Sequence, residues 1–192
     1  MSYKITSKFL QQESFRNFPH KGIDLKMEIG EPLRAICAGK IHLKNFGSSN
    51  AGKTILIEGE DGRTYIYGHL SEFNVQEGQF VSQGDLIGLS GNSGFSTGAH
   101  LHFAVREGEK FLDPSPHIDF IQNMNNPQFL ASLPSKKESL TQAYSMFDVL
   151  KDAASTYSDF FQSLKLNIVY LFNSIDYSMF VQYLQHFMQF FS

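Results

Sequence analysis

Two hydrophobic periods run along this chain of 192 residues. Up to about residue 120, apolar and polar positions alternate in short runs broken by Gly, Asn, Asp and Pro, which is the period-two pattern of half-buried strands. In GIDLKMEI, Ile23, Leu25, Met27 and Ile29 fall on one side and Asp24, Lys26 and Glu28 on the other. In HLHFAV, Leu101, Phe103 and Val105 share a face opposite His100, His102 and Ala104. RTYIYGHLS places Tyr65, Tyr67 and His69 together, with Gly68 removing bulk beside the histidine. ILIEGEDGRTYIY predicts a hairpin turning at Asp61-Gly62, because that pair tolerates the positive φ a tight turn requires. Residues 75–91 predict two further short strands separated by glycine-containing turns.

The period then changes. No glycine follows residue 120, and residues 121–138 are polar with Pro127 and Pro134, which predicts a linker. From residue 139 onward apolar side chains recur in steps of three and four, through Phe161, Leu164, Ile168, Leu171, Ile175, Met179, Tyr183, Phe187 and Phe191. A polar stripe through Ser163, Asn167, Ser174, Ser178, Gln182, Gln185 and Gln189 completes an amphipathic helix, with a break near Asn173–Asp176. The expected organisation is a mainly β, antiparallel domain over 1–120, a linker over 121–138 and an α-helical C-terminal region over 139–192. The broad apolar face of that last region suits a protein partner or self-association. Its stretch free of Asp, Glu, Lys and Arg, 177–192, is shorter than the roughly 20 residues a spanning helix needs, so membrane insertion is not the expectation.

Composition narrows the picture slightly. The chain is 42% hydrophobic and carries a net charge of −3, which gives no electrostatic case for binding nucleic acid. A single cysteine, Cys37 in LRAICAG, excludes an intramolecular disulfide and reads as a small core residue. MSYKITSKFL has no apolar core of a secretory signal, so an extracellular substrate would require delivery by another route, such as a phage particle, lysis or dedicated export.

The candidate chemistry lies in three short motifs. A His-x-His on a strand, His100 and His102, points two imidazoles the same way and makes either a chelating pair or a ligand beside a base; two half-exposed surface histidines remain the plain alternative. In PHKGIDL, Pro19 and Gly22 argue against a helix and put His20 on the loop feeding a strand. Gly22 would let the backbone turn so that His20 and Asp24 converge. His69 closes a strand and, alone, would be unremarkable.

Together, HKGID, YGHLS and SGNSGFSTGAHLHF resemble the ordered signature of the lysostaphin-like (LytM-type) zinc endopeptidases that cut bacterial peptidoglycan. The resemblance covers roughly residues 3–118, and the glycine-rich spacers match as well as the histidines. It implies an antiparallel β-sheet peptidase domain in which His20, Asp24 and His102 bind one zinc and His69 and His100 are the catalytic imidazoles. Three protein ligands leave a fourth position for water, as a catalytic zinc requires. The implied substrate is a peptidoglycan peptide and the implied place of action is the extracellular cell wall. A non-catalytic member that binds wall or activates another hydrolase is the alternative; such a member should lack at least one of the five groups, and all five stand. Tyr67 and Asn92 are candidates for the groove or for support of the ligands. His42, His117 and His186 match no family position and read as surface or packing residues. Two departures are visible. ITSKFLQQESFRN stands where the family has FGxR, and the C-terminal region has no family counterpart.

Overall fold

The period-two alternation becomes two antiparallel sheets in the computed structural model, which describes residues 3–12, 14 and 18–134. The strands are β1 (Ile5–Ser7), β2 (Ile23–Lys26), β3 (Pro32–Arg34), β4 (Gly39–Asn45), β5 (Lys53–Gly59), β6 (Arg63–Leu70), β7 (Glu72–Phe73), β8 (Phe80–Val81), β9 (Leu86–Leu89), β10 (His100–Glu107) and β11 (Lys110–Leu112). The larger sheet runs β1-β2-β10-β6-β5-β4-β8, with β11 also paired to β10; the smaller is β3-β9-β7. The fold is therefore mainly β.

One face of the large sheet makes the core. Ile23, Leu25, Ile55, Ile57, Tyr65, Tyr67, Leu101 and Phe103 are all buried there, packed with Leu33 and Ile87 from the small sheet. Each such side chain contributes about 1.5–3 kcal/mol by leaving water. The opposite face, carrying Asp24, His102, Ala104, Ile66, Leu56 and Thr54, is left open and lines a cleft. The expected hairpin is present as β5 and β6, and Gly62 in its turn adopts φ +77°.

Several expectations need correction. Ile29 is 62% exposed rather than on the core face. β2 ends at Lys26, and the chain turns away as Gly30 N donates to Ser90 O and Glu28 N to Glu31 Oε1. Tyr67 is not a groove residue. Its ring is fully buried edge-on to Phe103, and its hydroxyl accepts from Ile36 N at 3.1 Å and donates to Arg34 O at 3.2 Å. The segment expected to be a linker from residue 121 instead holds α1 (Ile118–Asn123) and α2 (Pro127–Ser132). Asn126 caps α2 by accepting from Gln128 N and Phe129 N, so Pro127, read as a breaker, is the first residue of a helix. Phe120, Ile121 and Met124 are buried in the core, and the compact unit runs to Leu133.

Cys37 packs against the core, where burial, followed by the charges of Asp61 and Glu60, pushes its thiol up to about 12. No helix among the described residues is long and apolar enough to cross a membrane. The expected helical region 139–192, and the proposed association through it, lie outside the described residues.

Candidate metal centre

Strand register brings the first two groups together. His102 on β10 stands opposite Asp24 on β2, and on its other side opposite Gly68 of β6. His20, just before β2, is 1% exposed. The three candidate ligand atoms form a nearly equilateral triangle: His20 Nε2 to His102 Nδ1 is 3.1 Å, His102 Nδ1 to Asp24 Oδ1 is 2.8 Å, and His20 Nε2 to Asp24 Oδ1 is 3.1 Å. Gly22 matters by leaving space rather than by a positive φ. A Cβ there would lie 2.5 Å from Phe103 O and 2.8 Å from His102 Cε1. Gly68 has a related role, since its Cβ would meet Ala51 Cβ at 2.8 Å and His102 Cβ at 3.4 Å.

Two imidazoles and a carboxylate are the donor set of a catalytic zinc, whereas calcium and magnesium take oxygen. Tetrahedral ligands at about 2.0–2.1 Å from zinc stand about 3.3 Å apart, close to the sides of this triangle. Which nitrogen of His20 could bind a cation is selected by its other ring nitrogen. Nδ1 lies 3.1 Å from Lys8 O and 2.9 Å from Ser7 Oγ. A carbonyl only accepts, so Nδ1 carries the proton and Nε2 keeps a lone pair. Burial alone would raise the Asp24 carboxyl, but its polar contacts with His102 and His20 outweigh it and hold Asp24 far below the usual carboxylate range. Burial likewise holds His102 below the ordinary imidazole value. Both groups are thus kept in the state a cation binds. Among the described residues this is the one cluster of three or more such groups.

His69 and His100 stand beside it, with ring centroids 4.4 Å apart. Strict alternation would send His69 into the core after Tyr65 and Tyr67. It escapes because it adopts φ +64°, while its backbone N donates to Ala51 O at 2.7 Å and the β5–β6 register slips between Lys53 and Ile55. A non-glycine residue held in this region costs energy and is a common mark of a functional position. His69 therefore does not share the face of Tyr65 and Tyr67, and no composition signal announces the positive φ.

Both rings are oriented by one loop. His69 Nδ1 donates to Ser93 O at 2.6 Å; His100 Nδ1 donates to Gly98 O at 2.7 Å, with Ser96 Oγ at 3.2 Å. Nε2 of His100 is buried, makes no hydrogen bond to a described residue and lies 3.7 Å from Asp24 Oδ1. Burial is the main cause that lowers His69 to about 4. The glycine-rich run 91–98 can supply both carbonyls because Gly94 and Gly52 sit back to back: a Cβ on Gly94 would lie 2.3 Å from Gly52 N. Ser93 Oγ accepts from Lys53 N, and Phe95 N donates to Asn50 O.

These groups open into a cleft of about 970 Å³ floored by Thr54, Leu56, Ile66 and Ala104 and rimmed by Phe46 and Phe95. Asn92 is exposed and does not line it. The supporting Ser7 and the loop carbonyls were not found from the sequence, since a serine thirteen residues before His20 carries no motif and a carbonyl has no side-chain signature. His42 is bonded by Glu58 and Glu77, and His117 packs edge-on to Tyr65; His186 lies outside the described residues.

Comparison with known proteins follows the same residues. The model of peptidase family M23 matches residues 18–114. Peptidoglycan DD-endopeptidase ShyA of Vibrio cholerae is 39% identical over 109 residues, 54% of this chain and 25% of that protein. The crystallised catalytic domain of the antimicrobial peptidase lysostaphin from Staphylococcus simulans superposes with a TM-score of 0.55 at 33% identity, covering 61% of this chain and 92% of that domain. A zinc-containing peptidase from Vibrio cholerae superposes with a TM-score of 0.53 at 33% identity, covering 58% of this chain and 36% of that one. The chain spans less than a third of the length of the curated relatives it matches.

Proposed function

Because this chain belongs to peptidase family M23, we propose that it is a zinc-dependent endopeptidase hydrolysing peptide cross-links of bacterial peptidoglycan. The observation that carries the reading is the triangle of His20, Asp24 and His102 with two oriented imidazoles at its side. The relative named a peptidoglycan DD-endopeptidase supports the substrate class. The reading places the site of action at the cell wall, reached from outside the cell or from a phage particle.

His20, Asp24 and His102 would hold the ion, the anionic carboxylate offsetting part of its charge, and a zinc bound there would polarise the scissile carbonyl and acidify water. His69 and His100 each keep Nε2 for the reaction, because Nδ1 of each is tied to a carbonyl. One ring takes a proton from the attacking water and returns it to the leaving amine. Its neighbour, protonated at Nε2, donates to the developing oxyanion. The buried position of His69 keeps it unprotonated at neutral pH.

The test is to measure zinc bound by the full chain and the peptides it releases from purified walls, by mass spectrometry. His102→Ala should abolish both zinc binding and release. A protein that holds no zinc and releases nothing from walls of any chemistry overturns the proposal.

A further inference from the structure

The cleft and the whole molecule have opposite charge. The chain carries a net −3, yet the cleft is lined by Lys21, Lys26, Lys44 and Arg106 against one carboxylate, Asp24, which is engaged by the imidazoles. None of the four cations forms an ion pair with a described residue. Cations left unpaired in a concave, low-dielectric wall raise the local concentration of anions.

Two of these cations, Lys21 and Arg106, meet away from the metal centre, while Lys26 stands across from His100 and Lys44 across from Thr54. β2 and β11 lie end to end along the same edge of β10, and at their junction Phe111 pairs with Arg106 while Lys21 Nζ sits 5.0 Å from the Phe111 ring centroid. One cation therefore sits over the ring, and a second, Arg106, stands across from it in the strand register. Nε of Arg106 is buried and makes no hydrogen bond to a described residue. A buried guanidinium N–H without an acceptor is costly unless a ligand supplies one. Glu58, on the same face of β5, is bonded by His42 at 3.2 Å.

Arg106 and His102 share a face of β10 and are four residues apart, roughly 13 Å along the strand. An extended peptide whose reacting bond lies at the metal centre would bring a group about four residues away to Arg106. We propose that Arg106, with Lys21, binds a free carboxylate of the substrate, so that the enzyme selects cross-linked peptides carrying that anion over uncharged ones such as glycine bridges or amidated stems. The inference rests on the hydrolase reading and extends it to substrate class. Arg106 offers the planar fork that pairs with both carboxylate oxygens; Lys21 adds a point charge.

The experiment uses the zinc-loaded full chain and two synthetic branched peptides that differ only in one carboxylate, free or amidated, within about four residues of the cleaved bond. The expected result is a kcat/KM higher by about tenfold or more for the free acid, carried by KM, and eroded by added salt. Arg106→Gln and Lys21→Gln should each shrink that preference, and Arg106→Lys should keep part of it. If Arg106→Gln fails to fold, Lys21→Gln, which lies outside the strands, still decides. Equal cleavage of both peptides overturns this inference and leaves the hydrolase standing. Cleavage of neither, with zinc bound and purified walls also untouched, overturns both.

Discussion

The Nδ1 of His69 lies 2.6 Å from the carbonyl oxygen of Ser93, and this one contact decides which nitrogen of the ring is available for chemistry. The carbonyl can only accept, so the proton sits on Nδ1 and the lone pair on Nε2. His69 touches none of the three ligand atoms through a hydrogen bond, so its role separates from metal binding. His69→Ala should keep wild-type zinc content, measured by elemental analysis, while peptide release falls by about 10²–10⁴-fold. His100→Ala should behave alike. Loss of zinc from His69→Ala would make that ring part of the metal centre instead.

The close approach of backbone to ligand gives a second prediction. Gly22→Ala drives a Cβ to 2.5 Å from a backbone carbonyl and 2.8 Å from the ring of His102, and backbone cannot step aside as a flexible side chain can. His102 must tilt, and zinc affinity in a competition assay with a chelating dye should fall about 10–100-fold. Gly68→Ala, which meets Ala51 first, should fall less. Gly98→Ala, whose Cβ meets nothing within 4 Å, should bind zinc as the parent does. Equal affinity for Gly22→Ala and the parent would show that strand β2 relaxes freely.

The sequence made the strands and the five polar groups legible because both depend on residue type at fixed spacing. Alternation alone put His100 and His102 opposite Leu101 and Phe103, and the register of β10 with β2 placed Asp24 across from His102. What escaped has a common physical cause. His69 leaves its face through a backbone dihedral, Ile29 leaves the sheet at a turn, and Tyr67 enters the core although its hydroxyl could equally have faced water. Each depends on partners distant in sequence, here Ala51 O, Ser90 O and Arg34 O. Asn126-Pro127 escapes for a different reason: a proline after a polar run starts a helix as readily as it ends one.

Acid should destabilise the metal-free protein in a defined window. An unfolded histidine titrates near 6.5, whereas His69 is lowered to about 4 and His102 is lowered as well, in both cases mainly by burial. Between those values the unfolded chain binds more protons than the folded one, so stability is full above about 6.5 and is lost as pH falls toward about 4. Asp24 acts in the same direction lower still: its depressed pKa supplies stability above the ordinary carboxylate value that drains away in stronger acid. The melting temperature of zinc-free full chain should fall across this range, and His69→Gln should flatten part of the slope. A melting temperature indifferent to pH from 7 to 4 would contradict the burial of these rings.

Tyr67 decides between a groove residue and a core residue, and the two roles give opposite readouts. In the core, its hydroxyl satisfies Ile36 N and Arg34 O, neither of which faces the cleft. Tyr67→Phe keeps the ring against Phe103 but leaves a buried N–H and a half-buried carbonyl without this partner. The cost should be about 1–3 kcal/mol, seen as a lower denaturation midpoint with an unchanged slope. Turnover measured well below the melting temperature should match the parent, because nothing that lines the cleft has moved. A variant as stable as the parent but slower on walls would mean that the hydroxyl serves the substrate, and that the face of β6 carrying Tyr65 and Tyr67 is not purely the core.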